Sequence, residues 1–145
     1  MILADPAATE AVGACLAALL RPGDIVTLEG SLGAGKTTLV RGLLAALGHD
    51  GEVPSPTFAI VQPYDDLALP LWHADLYRIE HHSELDELGL FSALDDGALV
   101  VEWPDRAGPG AFGSALALSL DEQPDGARRL TARVPAAWEG RWPPR

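Results

Sequence analysis

The chain has 145 residues, 48% of them apolar, which suits one compact domain with an ordinary core and leaves little length for a second. No run approaches the roughly eighteen apolar residues of a membrane span, Asp5 and Glu10 stand where a secretory leader needs a basic and then an apolar region, and the single Cys15 cannot form an internal disulfide. These features predict a cytoplasmic protein away from the membrane, and a formal charge of -11 argues against direct gripping of a nucleic-acid backbone, which calls for a surplus of Lys and Arg.

Asp5 is placed to cap a helix beginning at Pro6, in which Val12, Cys15, Leu16 and Leu19 recur at helical spacing. Arg21 to Asp24 reads as a turn, and Ile25-Val26-Thr27-Leu28 as a buried strand entering the glycine-rich segment Gly30-Ser31-Leu32-Gly33-Ala34-Gly35-Lys36-Thr37. A second helix follows from Lys36, with Leu39, Val40, Leu43, Leu44 and Leu47 on one face and Gly48 as its C-terminal stop. Pro54-Ser55-Pro56 breaks the chain. Thr57 to Val61 and Leu69 to Leu76 then read as strands separated by an acidic turn at Asp65-Asp66, and Ser83 to Leu90 as a helix opening on a near capping box of Ser83 and Asp86. Ala98-Leu99-Val100-Val101 is a continuous apolar run of the kind that fills the middle of a parallel sheet. Ala115 to Leu120 and Arg129 to Val134 flank the turn from Asp121 to Gly126 as a hairpin. Residues 1–137 are expected to form the domain, and 138–145 a loosely ordered tail.

Strand, glycine-rich loop and helix in this order make a phosphate cradle. Glycines let backbone N–H groups turn inward around phosphate oxygens, the helix N-terminus adds partial positive charge, Lys36 adds a full one, and the Thr37 hydroxyl suits a magnesium ion. Nine of the ten basic residues are arginine, and the one lysine is Lys36. Such a loop also needs a carboxylate at the end of a neighbouring strand. Asp75 and Glu102 each close an apolar run; Glu102 is the better candidate for the metal, which leaves Asp75 to position or activate water. A solvent-facing strand end is the plainer reading of either.

Guanine-selective switches use an Asn-Lys-x-Asp segment, which a chain with a single lysine cannot supply, so a conventional GTPase is not expected. Asp86-Glu87-Leu88-Gly89 has a D-x-x-G spacing but lies in a helical pattern and reads as surface helix. His73 is more readily structural than catalytic, and His81-His82 read as solvated. Arg78 and Arg106 follow the two acids closely, and either neutralise phosphate charge or form surface ion pairs.

Four segments occur together: Gly30 to Thr38, Ser55-Pro56-Thr57-Phe58, His73-Ala74-Asp75-Leu76-Tyr77-Arg78, and Val101-Glu102-Trp103-Pro104-Asp105-Arg106. In this order and spacing the chain resembles the TsaE (YjeE) family, the ATPase of bacterial tRNA threonylcarbamoyladenosine synthesis, over roughly Pro6 to Arg106. The resemblance implies a single α/β P-loop domain with a mixed, mostly parallel central sheet flanked by helices. It also implies a weak, Mg²⁺-dependent ATPase that works with the TsaB–TsaD complex, which modifies adenosine 37 of tRNA, while the ATPase itself meets tRNA indirectly at most. Carried over by position, Ser31, Leu32, Gly33, Ala34, Gly35, Lys36, Thr37 and Thr38 hold ATP, Thr37 and Glu102 hold the metal, and Asp75 is a catalytic acid. Thr9 lies near the adenine, and Ser55, Thr57, Arg78 and Trp103 belong to a switch or pocket. The alternatives are a small P-loop kinase, for which an arginine-rich lid is missing before the hairpin, and a nucleotide-binding regulatory module that scarcely turns over.

Overall fold

A computed structural model describes residues 1–31, 33–53, 61–81, 83–108 and 110–143. Its strands are β1 (Ile2–Leu3), β2 (Ile25–Glu29), β3 (Val61–Tyr64), β4 (Leu71–Asp75), β5 (Ala98–Glu102), β6 (Leu116–Glu122) and β7 (Arg128–Arg133). The helices are α1 (Pro6–Leu19), α2 (Lys36–Ala46) and the short α3 (Glu84–Leu88), with short 3₁₀ segments at Leu90–Asp95, Pro104–Ala107 and Ala136–Trp138. The strands form one sheet in the order β1-β7-β6-β2-β5-β4-β3. The four central strands β6, β2, β5 and β4 run parallel, and the pairs at both margins are antiparallel.

Strand residues divide between two cores with the two-residue period of a pleated sheet. Val26, Leu28, Ala98 and Val100 face α1 and α2, where Val12, Leu16, Leu39, Val40, Leu43 and Leu44 meet them. Ile25, Leu99 and Val101 face the other way, onto Leu76, Ile79, Leu90 and Ala107. Both faces of β5 are therefore covered, which is why that strand carries no polar residue before Glu102.

Helix α1 starts where the sequence places it. The Asp5 side chain accepts from the Ala8 amide at 2.8 Å, and Pro6 occupies the first turn, where its missing N–H costs nothing. Helices α1 and α2 touch backbone to backbone: a Cβ on Gly13 would lie 2.1 Å from the Leu39 carbonyl oxygen, and one on Gly42 would lie 2.1 Å from that of Glu10.

Several expectations need correction. The strand expected from Thr57 to Val61 is described only from Val61, residues 54–60 lying outside the described residues, and it runs on through Pro63 to Tyr64. Proline is tolerated there because β3 is an edge strand. The expected strand from Leu69 to Leu76 shortens to Leu71–Asp75. Ser83 precedes α3 in helical rather than extended backbone, and its side chain makes no capping bond. Strand β1, two residues long, has too little pattern to read from sequence.

The tail expected to be loosely ordered from 138 onward is packed through Trp142. Trp138 is fully buried in the α1/α2 core, Trp142 joins it, and the Arg141 guanidinium lies 4.0 Å over the Trp138 ring. The same guanidinium donates to both carboxylate oxygens of Asp24, at 2.8 and 3.0 Å, and to the carbonyls of Leu19 and Ala137. A Trp- and Pro-rich end has the apolar area and rigidity to dock, which composition alone does not reveal.

Candidate active site

Parallel strands present their C-terminal ends at one edge of the sheet, where α/β proteins bind ligands. Here β2 leads into the glycine-rich loop, while β4 and β5 end in register on Asp75 and Glu102. Leu28 of β2 lies opposite Glu102 on the other side of β5. Sheet parity sends Asp75 and Glu102 to the α1/α2 face, the face on which α2 begins. A cleft of about 350 Å³ opens there, lined by Thr9, Gly33, Ala34, Gly35, Lys36, Thr37, Thr38, Asp75, Glu102 and Trp103, together with Leu3, Asp5, Pro6, Gly126 and Arg128.

Ten of the sequence-derived site residues thus share one cleft. Ser31 adjoins it through its carbonyl, which accepts from Lys36 Nζ at 3.4 Å. Leu32, Ser55 and Thr57 lie outside the described residues, and Arg78 is not among the residues lining the cleft. Gly35 precedes α2 with φ at 104°, a left-handed conformation that only glycine adopts without strain, and this turn aims the first amides of α2 into the cleft.

Lys36 is buried, with 5% of its surface exposed. Its Nζ donates to the Gly30 and Ser31 carbonyls and sits 4.1 Å over the Trp103 ring. Desolvation lowers its pKa, while the carboxylates of Glu102, Asp75 and Asp105 pull the other way. Trp103 is, among the described residues, the one non-glycine with positive φ (57°), a conformation that costs on the order of 1–3 kcal/mol in non-glycine residues. Its ring packs between the Lys36 ammonium and Tyr77, whose ring centroid is 4.9 Å away. Arg106 lies 5.4 Å over the outer Tyr77 ring.

The two acids differ. Asp75 is half-buried and accepts from the Tyr77 amide at 2.9 Å. Burial raises its pKa first and the Glu102 charge adds to that, against the Tyr77 hydrogen bond, His73 and Lys36. Glu102 is buried, and its Oε2 lies 2.6 Å from His73 Nε2. Among the described residues no group of three or more His, Cys, Asp and Glu forms a metal cage. Within the cleft, the Thr37 hydroxyl and the Asp75 and Glu102 carboxylates lie beside the glycine-rich loop, an oxygen donor set suited to a hard cation.

Arg128 was not legible as a site residue. Its Nε donates to the Ala34 carbonyl at 2.9 Å and its Nη2 to that of Gly33 at 3.2 Å, tying β7 to the loop. Nothing local signals this, because the contact arises only when β6 pairs with β2 and folds β7 back beside the loop. Asp5 and Pro6 were legible as helix-cap residues but not as cleft wall.

The family model described as "Threonylcarbamoyl adenosine biosynthesis protein TsaE" matches residues 3–130. The chain is 47% identical over 100 residues to the tRNA threonylcarbamoyladenosine biosynthesis protein TsaE of Bacillus subtilis, covering 68% of this chain and 62% of the relative. It is 50% identical over 95 residues to that of Streptomyces coelicolor, covering 63% and 64%. With that of Mycobacterium leprae it shares 36% identity over 140 residues, covering 90% and 84%. The match thus spans less than two thirds of the first two relatives' own length. The crystal structure of Bacillus subtilis YdiB superposes with a TM-score of 0.76 at 34% identity, over 91% of this chain and 82% of that one. Among the described residues no helix is long and apolar enough to cross a membrane. With a matching family model over most of its length and the same fold in a solved relative, this chain belongs to the TsaE family.

Proposed function

We propose that this protein is a Mg-ATP-binding ATPase that serves tRNA N6-threonylcarbamoyladenosine formation together with the TsaB–TsaD complex, in the cytoplasm, without itself transferring the threonylcarbamoyl group. The observation that carries the reading is the single cleft in which the start of α2, Lys36, Thr37, Asp75 and Glu102 converge.

The α2 amides and the loop backbone take up the phosphate oxygens, and Lys36 exchanges its carbonyl partners for them. That exchange is favoured because a phosphate is a full anion where a carbonyl offers only a dipole. The Thr37 hydroxyl and the Glu102 carboxylate hold Mg²⁺, which neutralises charge on the phosphate chain when bound. Asp75 orients the attacking water, its carboxylate fixed by the Tyr77 amide. Thr9, Asp5, Pro6 and Leu3 form the wall at the start of α1, where the adenosine end lies. Arg128 braces the loop carbonyls so that the amides keep facing inward. The -11 charge fits a subunit that acts through protein contacts and does not hold tRNA.

The test is phosphate release from Mg-ATP by the protein alone and with the TsaB–TsaD complex, with Lys36→Ala and Glu102→Ala as controls. Slow solitary turnover, strongly stimulated by the complex and lost in both variants, is expected. Turnover that appears only on adding a small phosphate acceptor would instead identify a kinase.

A further inference from the structure

We propose that His73 is a positioning residue for the ATPase site: it holds one carboxylate oxygen of Glu102 and so fixes which oxygen that residue offers to the nucleotide-bound metal. The inference rests on the Mg-ATP reading above and extends it to a residue outside the cleft lining.

In the parallel register of β4 and β5, His73 lies opposite Val100 and Asp75 opposite Glu102. His73 and Glu102 are therefore diagonal neighbours on one face of the sheet, within reach of long side chains. The imidazole is fully buried, and its Nε2 lies 2.6 Å from Glu102 Oε2. Its Nδ1 is buried with no hydrogen-bond partner among the described residues.

With its hydrogen on Nε2, the ring donates to the Glu102 carboxylate. His73 thus acts as a fixed donor that occupies Oε2. Oε1 is the oxygen left to Glu102 for the cleft it lines, and the carboxylate is prevented from rotating. An isolated buried carboxylate would otherwise have to find this orientation each time a metal entered.

The test compares the wild type with His73→Leu, His73→Gln and His73→Asn, measuring thermal melting, calorimetric affinity for ATP with and without Mg²⁺, and turnover. The glutamine amide reaches the position of Nε2, whereas the asparagine amide falls short of it. In His73→Leu, metal-free ATP affinity is expected to stay within about twofold, while the Mg²⁺-linked gain in affinity and kcat fall about 10- to 100-fold, the size typical of losing a residue that orients a metal ligand. His73→Gln should recover most of both, and His73→Asn should not. Wild-type Mg²⁺ linkage in a folded His73→Leu would overturn the inference. If that variant does not fold, equal Mg²⁺ linkage in the glutamine and asparagine variants would overturn it. Failure of the wild type to bind Mg-ATP would defeat the functional reading itself, a separate result.

Discussion

Replacing Gly13 by Ala sets two well-calibrated effects against each other. Glycine inside a helix costs about 1 kcal/mol relative to alanine, so on propensity alone Gly13→Ala in α1 stabilises the protein. The added methyl would sit 2.1 Å from the Leu39 carbonyl oxygen and 2.7 Å from the Leu43 amide nitrogen of α2. Restoring the 3.4 Å of ordinary contact to that oxygen requires a retreat of about 1.3 Å, the difference between the two distances. Backbone inside a helix cannot swing aside as a long side chain does, so α1 and α2 must part. Overpacking of this kind costs about 1–3 kcal/mol, and against rigid backbone the upper end applies. The net loss is therefore about 2 kcal/mol, which for a domain of this size lowers the melting temperature by about 4–8 °C.

Because Asp5, Pro6 and Thr9 enter the cleft from the start of α1, the same displacement should weaken nucleotide binding. Gly42→Ala meets the Glu10 backbone across the same contact, and the double variant should lose less than the sum of the two, since helices already parted admit the second methyl more easily. Thermal unfolding followed by circular dichroism, with nucleotide titration, checks all of this. A melting temperature equal to or above the wild type for Gly13→Ala would refute the reasoning, because propensity would then have won over contact.

Asp75→Asn should be inactive yet more stable near neutral pH. Burial raises the folded-state pKa of Asp75 above its unfolded value, so its contribution favours folding below the unfolded pKa and is lost as pH rises through the raised folded one; urea titrations across that range should show a flatter pH profile for the variant. The amide keeps an oxygen for the Tyr77 amide, so the site's backbone is retained. Arg128→Ala removes two charged hydrogen bonds to the loop carbonyls and should weaken ATP binding about tenfold, equivalent to about 1.4 kcal/mol, with little change in kcat at saturation, as read by calorimetry and steady-state kinetics. Arg141→Ala leaves the largely buried Asp24 carboxylate without its bidentate partner and uncovers Trp138, and should cost about 3 kcal/mol in urea unfolding; a loss below about 1 kcal/mol would mean that the tail contributes only a surface ion pair.

The strand, glycine-rich turn and helix from Ile25 to Ala46 were legible from sequence because their signals are local. A β-branched run, glycines, Lys36 and Thr37 within a dozen residues fix strand, loop, helix and charge without help from the rest of the chain. The two acids were legible as strand ends for a similar reason: the apolar runs before Asp75 and Glu102 mark buried strands, and strands in a parallel sheet end at one edge. The hairpin followed from its alternation and its turn. What the tertiary structure decided is whatever depends on strand order and register. Only the placing of β4 beside β5 puts His73 against Glu102, and only the pairing of β6 with β2 brings Arg128 onto the loop. The left-handed turn at Trp103, between Lys36 and Tyr77, and the docking of Trp138 and Arg141 belong to the same class. Each joins residues distant in sequence, so its free energy is absent from any local segment and exists only once the sheet has closed around it.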